Sequence, residues 1–270
     1  IKGVTFPKAM RWGGKNMRFA RPIRWMVALL NDEVLPINLE GIVASNITRG
    51  HRFLGRNQIE VFSIEDYFKQ LSKNSVVLDQ NVRKEAIKAQ AEEVAKSLGG
   101  EVEIEDDLLE EITYLVEYPT AFYGEFNADY VKLPKEVVTT PMKEHQRYFP
   151  VSKEGKLLPY FIAVRNGDKH AIDIVKAGNE KVLEARLADA LFFYDEDIKK
   201  PLESFVENLK TVVFQAKLGT VYDKTLRIEK LAQDIVETLD EKEILNDTLR
   251  AAKLCKADLV TNMVFEFTEL

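Results

Sequence analysis

Residues 149–200 read FPVSKEGKLLPYFIAVRNGDKHAIDIVKAGNEKVLEARLADALFFYDEDIKK, and this stretch decides the fold class. Its first part has two apolar runs, at residues 149–151 and 159–164, on either side of a polar turn that contains Gly155, which is typical of a β-hairpin. After Gly167 the apolar residues change to the spacing of a helix. They are Leu183, Leu187, Leu191, Tyr194 and Ile198. Strands followed by a long helix predict an α+β chain.

Outside this stretch, the patterns divide the chain into four segments. Residues 1–55 are predicted to be a basic, β-rich segment, and residues 56–130 a helical α+β segment. Residues 131–218 hold the hairpin and the long helices, in which Pro201 kinks or restarts the helical pattern. Residues 219–270 are predicted to form a further set of amphipathic helices. The predicted fold class is therefore α+β and multi-domain, with β-rich and helical segments in turn.

Local signals mark several helix ends. Ser63 and Asp79 are predicted N-caps, because their side-chain oxygens can accept hydrogen bonds from free backbone N–H groups of the first turn. Pro134 suits the start of a short helix, and Gly219 precedes the last helical block. In the helix after Asp79, a narrow stripe of mostly small residues indicates the packing face. The stripe is Val82, Ala86, Ala89, Glu93 and Ala95.

The composition is that of an ordinary globular protein, with 46% hydrophobic and 30% charged residues in a chain of 270. It excludes a disordered, collagen-like or low-complexity protein. No run of 18 apolar residues is present, so no transmembrane helix is predicted. Cys255 is the single cysteine and cannot form an internal disulfide, which favours a reducing, cytoplasmic location. The first residue is not Met and the last helical pattern has no stop signal, which predicts a piece of a longer chain.

Charge is distributed unevenly along the chain. The formal net charge is −6, which by itself argues against a nucleic-acid partner. Residues 1–56 nevertheless hold ten basic and three acidic residues, a net charge of +7, while the remainder carries −13. Residues 11–25 interleave basic and aromatic side chains without an acidic one. This asymmetry predicts a local anionic partner.

The residue types of this basic segment suit RNA. Arginine binds phosphate through two N–H donors, and aromatic rings stack on unpaired bases. An acidic protein partner, or the carboxylates of the chain itself, would satisfy the same arginines. Charge alone leaves these alternatives open.

Two polar groups elsewhere are candidates for a secondary site. His145 and Arg147 lie at the predicted end of a helix. Arg165 and Asn166 follow a predicted buried strand, where loops present functional side chains. Either group could equally be a structural corner held by hydrogen bonds.

Other chemistries are disfavoured by the motifs. No His or Cys pair has the spacing of a zinc site, and no His or Cys lies in a Gly-x-Ser-x-Gly elbow. Gly13-Gly14-Lys15 lacks the remainder of a phosphate loop and predicts a tight turn instead. The acidic cluster at residues 195–197 is interpreted as a solvated helix face rather than a magnesium site. We therefore predict no catalytic residue, no metal site and no cofactor in this chain.

Seven blocks of sequence, in order along nearly the whole chain, carry a resemblance to a known family. They are FPKAMRW (6–12), RFARPIRW (18–25), GHRF (50–53), EHQRYF (144–149), FIAVRN (161–166), GNEKVLEARLADA (178–190) and KADL (256–259). Together they resemble the beta subunit of the bacterial, two-subunit type of glycine–tRNA ligase.

The resemblance implies a part in charging tRNA with glycine. In that family the alpha subunit carries the aminoacylation site, which uses ATP and magnesium, and the beta subunit binds tRNA(Gly). Two alpha and two beta chains form a heterotetramer. Beta chains of the family are longer than this one, and residues 219–270 would begin their HD-type helical domain. No His-Asp dyad is present in the sequence, so we expect no hydrolysis from that part.

On this basis, RNA contacts are predicted for seven basic residues. They are Arg11, Lys15, Arg18, Arg21, Arg24, Arg49 and Arg52. Some arginines between residues 18 and 24 are expected to face inward, because the interleaved Phe19, Ile23 and Trp25 need burial. Two alternatives remain: a protein-interface scaffold for the alpha subunit, and an editing-type hydrolase that acts on mischarged tRNA through His145.

Overall fold

The computed structural model describes residues 3–270, which form two compact units. One unit contains residues 3–122 together with Ile162–Ile172, and the other contains Tyr123–Phe161 and Asp173–Leu270. Helices and strands are mixed along the chain, so the predicted α+β class is confirmed. These units are coarser than the four segments predicted from the sequence, whose boundaries stay a prediction.

The elements are many, and most of the strands are short. The strands are β1 (Met26–Val27), β2 (Leu29–Leu30), β3 (Glu33–Val34), β4 (Asn38–Leu39), β5 (Ile42–Ser45), β6 (Ile47–Thr48), β7 (Ile59–Glu60), β8 (Glu101–Val102), β9 (Pro119–Glu125), β10 (Phe149–Lys153), β11 (Lys156–Asn166), β12 (Val213–Gln215) and β13 (Gly219–Thr220). The α-helices are α1 (Ile64–Lys73), α2 (Gln80–Ser97), α3 (Asp106–Leu115), α4 (Lys135–Thr140), α5 (Ile172–Asp197), α6 (Val221–Thr238), α7 (Leu245–Leu254) and α8 (Asn262–Glu266). Helical turns of 3₁₀ type are Ala128–Lys132, Leu202–Thr211, Lys242–Ile244 and Ala257–Val260, and Pro141–Gln146 is a π-helix.

The first unit begins with short strands around a small core. Strand β5 pairs in parallel with β1, where Met26 faces Ala44, and antiparallel with β4, where Leu39 faces Ile42. Met17 is buried in the same cluster, so the basic segment is anchored to the core that these strands form.

Helices α1 and α2 begin where the sequence predicts. The Ser63 hydroxyl accepts a hydrogen bond from the Asp66 N–H at 3.1 Å, and the Asp79 carboxylate accepts from the N–H groups of Asn81 and Val82. The predicted packing stripe of α2 is confirmed only at Ala95, because Val82, Ala89 and Glu93 are exposed. The buried residues of this helix are Ile87, Ala91 and Ala95.

The second unit contains β10, the first half of β11 and nearly all of the long helix α5. Strands β10 and β11 are joined by a turn in which Glu154 and Gly155 have positive φ angles of 50° and 77°, so the predicted hairpin is confirmed. Helix α5 ends at Asp197, and after Pro201 the chain continues as the 3₁₀ segment Leu202–Thr211, which confirms the predicted restart.

Asp197, in the predicted acidic cluster, has a structural role. Its carboxylate accepts hydrogen bonds from the backbone N–H groups of Asn262 and Met263, at 3.0 and 2.8 Å. These are free donors of the first turn of α8, so the carboxylate stabilises the start of that helix.

No helix in the described part of the chain is both long and apolar enough to cross a membrane.

Candidate nucleic-acid interface

Residues 10–19 of the basic segment are folded as a hairpin loop. Met10 and Phe19 exchange two backbone hydrogen bonds, of 2.9 and 3.2 Å, which close the loop between them. Gly13 and Gly14 have φ angles of 55° and 69°, a left-handed conformation that glycine adopts without strain. The predicted tight turn is therefore confirmed, and it places Lys15 so that its Nζ donates to the backbone carbonyl of Glu40.

Glu40 is an acidic residue that contacts this loop, and its carboxylate accepts hydrogen bonds from backbone N–H groups. The N–H groups of Asn16 and Met17 donate to Oε2 of Glu40 at 2.8 and 3.1 Å. Glu40 thus holds the loop in shape. Among residues 3–270, neither Glu40 nor any other acid forms an ion pair with an arginine of the basic segment.

The predicted arginines of this segment lie on the surface. Arg11, Arg18, Arg21 and Arg24 are all exposed, and Lys15 is half-buried. The Arg18 guanidinium donates to the Ala9 carbonyl at 3.1 Å, which fixes its direction.

The expectation that some of these arginines face inward is wrong. No regular strand runs from Phe19 to Trp25, so side chains do not alternate between two faces there. Phe19 and Ile23 are only partly buried, and Trp25 remains 43% exposed. The aromatic residues therefore share the surface with the arginines.

Arg49, another of the predicted RNA-contacting residues, contacts the exposed Trp25. The guanidinium carbon of Arg49 lies 4.7 Å from the centre of the Trp25 ring, a cation–π contact. Strand β6 ends one residue before Arg49, so the sheet edge sets its position. This contact brings together two blocks that are distant in the sequence.

Residues 50–56 form a tight loop next to Arg49. The Gly50 N–H donates to the Arg56 carbonyl at 2.9 Å, and the His51 N–H donates to the Asn74 carbonyl at 2.9 Å. A Cβ atom on Gly50 would lie 2.5 Å from Cβ of Asn74, and one on Gly55 would lie 2.6 Å from the Asn74 carbonyl oxygen. Only glycine fits at these two positions, because the loop packs directly against the end of α1.

The buried side chain of His51 stabilises this loop through hydrogen bonds to its backbone. The side chain is 2% exposed, and its Nδ1 accepts hydrogen bonds from the N–H groups of Phe53 and Leu54, both at 3.3 Å. With Nδ1 as the acceptor, Nε2 carries the proton and donates to Oδ1 of Asn166 at 3.2 Å. Phe53, by contrast, is 81% exposed, with the Arg52 guanidinium 5.6 Å from its ring centre. Sequence reasoning missed Phe53 and the role of His51, although both lie in the GHRF block.

The predicted secondary site is divided between the two units. Asn166 belongs to the first unit, where Oδ1 also accepts from the N–H groups of Glu117 and Tyr118, at 3.0 and 3.1 Å. Arg165 donates from Nη1 to the His170 carbonyl at 2.5 Å. These contacts favour the interpretation of residues 165 and 166 as a structural corner.

His145 and Arg147 lie in the second unit, at a π-helical turn. The His145 ring stacks on Phe267 with 5.7 Å between ring centres, and its Nδ1 is buried without a hydrogen-bond partner in the described residues. Arg147 ends the turn in the left-handed conformation, at φ 59°. This environment presents His145 to an aromatic ring rather than to a nucleophile.

A polar cluster that the sequence analysis missed ties β9 to α5. Lys176 lies 4.0 Å from the Tyr123 ring centre and 3.4 Å from Oε1 of Glu125. Burial lowers the pKa of Lys176, but Tyr123, Glu125 and Glu180 together raise it above its ordinary value. The Tyr130 hydroxyl donates to Glu184 at 2.9 Å, and burial together with this bond raises the pKa of Tyr130 to about 12. The groups satisfy one another, which indicates a structural role.

Comparison with known proteins gives the family. A family model described as glycyl-tRNA synthetase beta subunit matches residues 1–270. The chain belongs to that family.

Relatives of the glycyl-tRNA synthetase beta subunit family match along the entire chain. The glycine–tRNA ligase beta subunit of Clostridioides difficile (strain 630) is 74% identical over 270 residues. Those of Desulforamulus reducens and Moorella thermoacetica are each 52% identical over 272 residues. In all three cases the match covers 100% of this chain and 39% of the relative, so the chain spans well under half the length of these relatives.

Proposed function

We propose that this chain binds RNA for a glycine–tRNA ligase, with tRNA(Gly) as its partner, and makes or breaks no bond itself. The observation that carries the proposal is a set of exposed arginines, at positions 11, 18, 21 and 24, that pair with no described carboxylate. Exposed guanidinium groups without a described carboxylate partner, on a segment of net charge +7, bind phosphate with little desolvation cost. Phosphate contacts would position the tRNA rather than read its sequence.

The family resemblance supports the wider setting of this proposal. Aminoacylation, with its use of ATP and magnesium, would take place on an alpha subunit, in a cytoplasmic assembly of two alpha and two beta chains. This chain would be divided into four structural segments, with boundaries after residues 55, 130 and 218. Residues 219–270 would be the start of an HD-type helical domain. In this setting the chain holds tRNA and the alpha subunit in register, and needs no cofactor of its own.

The test compares two double variants that change the net charge equally. Arg21→Gln with Arg24→Gln removes two exposed arginines of the basic segment, whereas Lys88→Gln with Lys96→Gln removes two exposed lysines of α2. Affinity for labelled tRNA(Gly) is measured at low and moderate salt. We expect the arginine variant to bind several-fold more weakly, with a salt slope that is smaller by about 0.7–0.9 for each phosphate it no longer binds. The lysine variant should bind as the unsubstituted chain does.

Equal behaviour of the two variants would overturn the RNA assignment. If the arginine variant keeps its tRNA affinity but no longer co-purifies with an alpha subunit, the basic segment is a protein interface. Deacylation of mischarged tRNA by the chain, abolished in His145→Ala, would instead establish the editing alternative.

A further inference from the structure

We propose that Phe53 stacks on an unpaired base of the bound RNA, an inference that rests on the proposed function. Phe53 lies at the tip of the loop formed by residues 50–56 and is 81% exposed. An aromatic ring in water has an unused apolar face, and every nucleic-acid base has a complementary face to offer.

Hydrogen bonds within the loop fix the backbone around Phe53. Its N–H is bound to Nδ1 of the buried His51, and the next N–H, that of Leu54, is bound to the same nitrogen. The Gly55 N–H donates to the His51 carbonyl at 2.8 Å, which closes the turn. These hydrogen bonds fix the backbone that carries Phe53, and the ring on it is exposed. Such preorganisation lowers the entropy cost of binding.

The surroundings of the ring favour a nucleic acid over a protein. The Arg52 guanidinium lies 5.6 Å from the ring centre, and Arg49 and Arg56 are exposed on either side in the chain. Residues 41–59 contain no acidic residue. A ligand that inserts a flat apolar group next to negative charge fits this chemistry, and a base with its phosphate is such a ligand.

The ring selects unpaired nucleotides. In a duplex both faces of each base are covered by its neighbours, so a side chain on a protein loop reaches a base face only where the strand is open. Phe53 would therefore contact a loop or a single-stranded end of tRNA, while the arginines contact phosphates regardless of pairing. His51 is a positioning residue in this scheme and touches no RNA.

The experiment measures affinities for labelled tRNA(Gly) and for a fully paired RNA duplex of similar length. Phe53→Leu keeps an apolar side chain but removes the ring, and Phe53→Trp restores a stacking surface. Phe265→Leu, at an exposed position of the second unit, is the matched control, since Phe265 is 83% exposed on α8. The loss expected for Phe53→Leu on tRNA(Gly) is about 5- to 150-fold, the range typical of one base–aromatic stack. Phe53→Trp should recover it, and duplex affinity should stay unchanged.

The outcomes separate this inference from the proposed function. If the arginine variant weakens binding to tRNA(Gly) and Phe53→Leu does not, only the stacking inference fails. If Phe53→Leu weakens duplex and tRNA binding equally, Phe53 does not select unpaired bases and the inference also fails. Loss of alpha-subunit binding alone in Phe53→Leu would assign the ring to a protein contact. If the unsubstituted chain binds neither RNA at low salt, the proposed function fails.

Discussion

Asn166 illustrates how one side chain decides local structure at the residue scale. Its Oδ1 accepts hydrogen bonds from two backbone N–H groups before β9 and from the Nε2–H of His51, which is 115 positions away in sequence. The sequence marked Asn166 as a candidate because it follows a strand. It could not show these partners, because hydrogen bonds between distant segments leave no periodic or local pattern.

This geometry leads to a prediction for Asn166→Ala. The substitution removes the acceptor of a buried N–H on His51, which costs about 1–3 kcal/mol when no partner replaces it. Asn166→Asp keeps an acceptor in the same place and should stay within about 1 kcal/mol of the unsubstituted chain. Urea unfolding of the three proteins measures both values.

An Asn166 that served only the candidate secondary site, without a structural role, would give a different pattern. In that case Asn166→Ala would unfold at the same urea concentration as the unsubstituted chain, and the structural interpretation would be wrong. Because His51 positions Phe53, we also expect Asn166→Ala to weaken tRNA(Gly) binding, and Asn166→Asp to weaken it less.

At the scale of elements, signals within a few residues proved sufficient for prediction. Ser63 and Asp79 cap their helices as expected, since an N-cap needs only the residue and the next turn of chain. Most of the predicted face of α2, apart from Ala95, was wrong because alanines occur all round this helix, at positions 86, 89, 91 and 95. Tertiary packing, and not the helix itself, selects which of them are buried.

The π-helical turn after α4 was also missed. Pro141 has no N–H to continue the α-helical hydrogen bonds, and its ring crowds the preceding turn. The chain stays helical but opens into a π-helix over Pro141–Gln146 before Arg147 ends it. A proline in the sequence indicates an interruption without saying whether the helix stops, kinks or widens.

Helix α6 has a capping box whose effect depends on pH. The backbone N–H of Thr220 donates to the Asp223 carboxylate at 2.7 Å and its hydroxyl at 2.8 Å, and these bonds hold the pKa of that carboxyl below its ordinary value. A carboxyl with a lowered pKa in the folded state stabilises the fold above its unfolded-state pKa. The contribution is lost as the pH falls through the lowered pKa.

We therefore expect Asp223→Asn to lower the melting temperature at neutral pH. The difference from the unsubstituted chain should begin to narrow below about pH 4 and continue to narrow as the pH falls through the lowered pKa, because the Asp223 carboxyl is then protonated and uncharged like the amide of Asn. Asp234→Asn, at an exposed position of the same helix, is the control for the loss of one negative charge. A constant difference between pH 7 and pH 3 in thermal unfolding would show that the carboxylate form has no special role.

At the scale of the whole molecule, the net charge of the chain and the net charge of residues 1–56 have opposite signs. The net charge of −6 repels RNA, whereas the segment of net charge +7 attracts it. Sequence arithmetic showed this division, but not that the arginines are exposed and that the carboxylate of Glu40 is occupied by backbone. Those facts depend on how the loop between Met10 and Phe19 folds.

The two effects predict opposite responses to salt. If repulsion from the whole chain governed the encounter, added salt would screen it and strengthen binding to tRNA(Gly). If the exposed arginines make direct phosphate contacts, salt competes with them and weakens binding. For three contacts, the expected decrease between about 50 and 200 mM KCl is roughly 20- to 40-fold. A titration with labelled tRNA(Gly) at fixed magnesium gives the sign directly, and an affinity that rises with salt would rule out the local contacts.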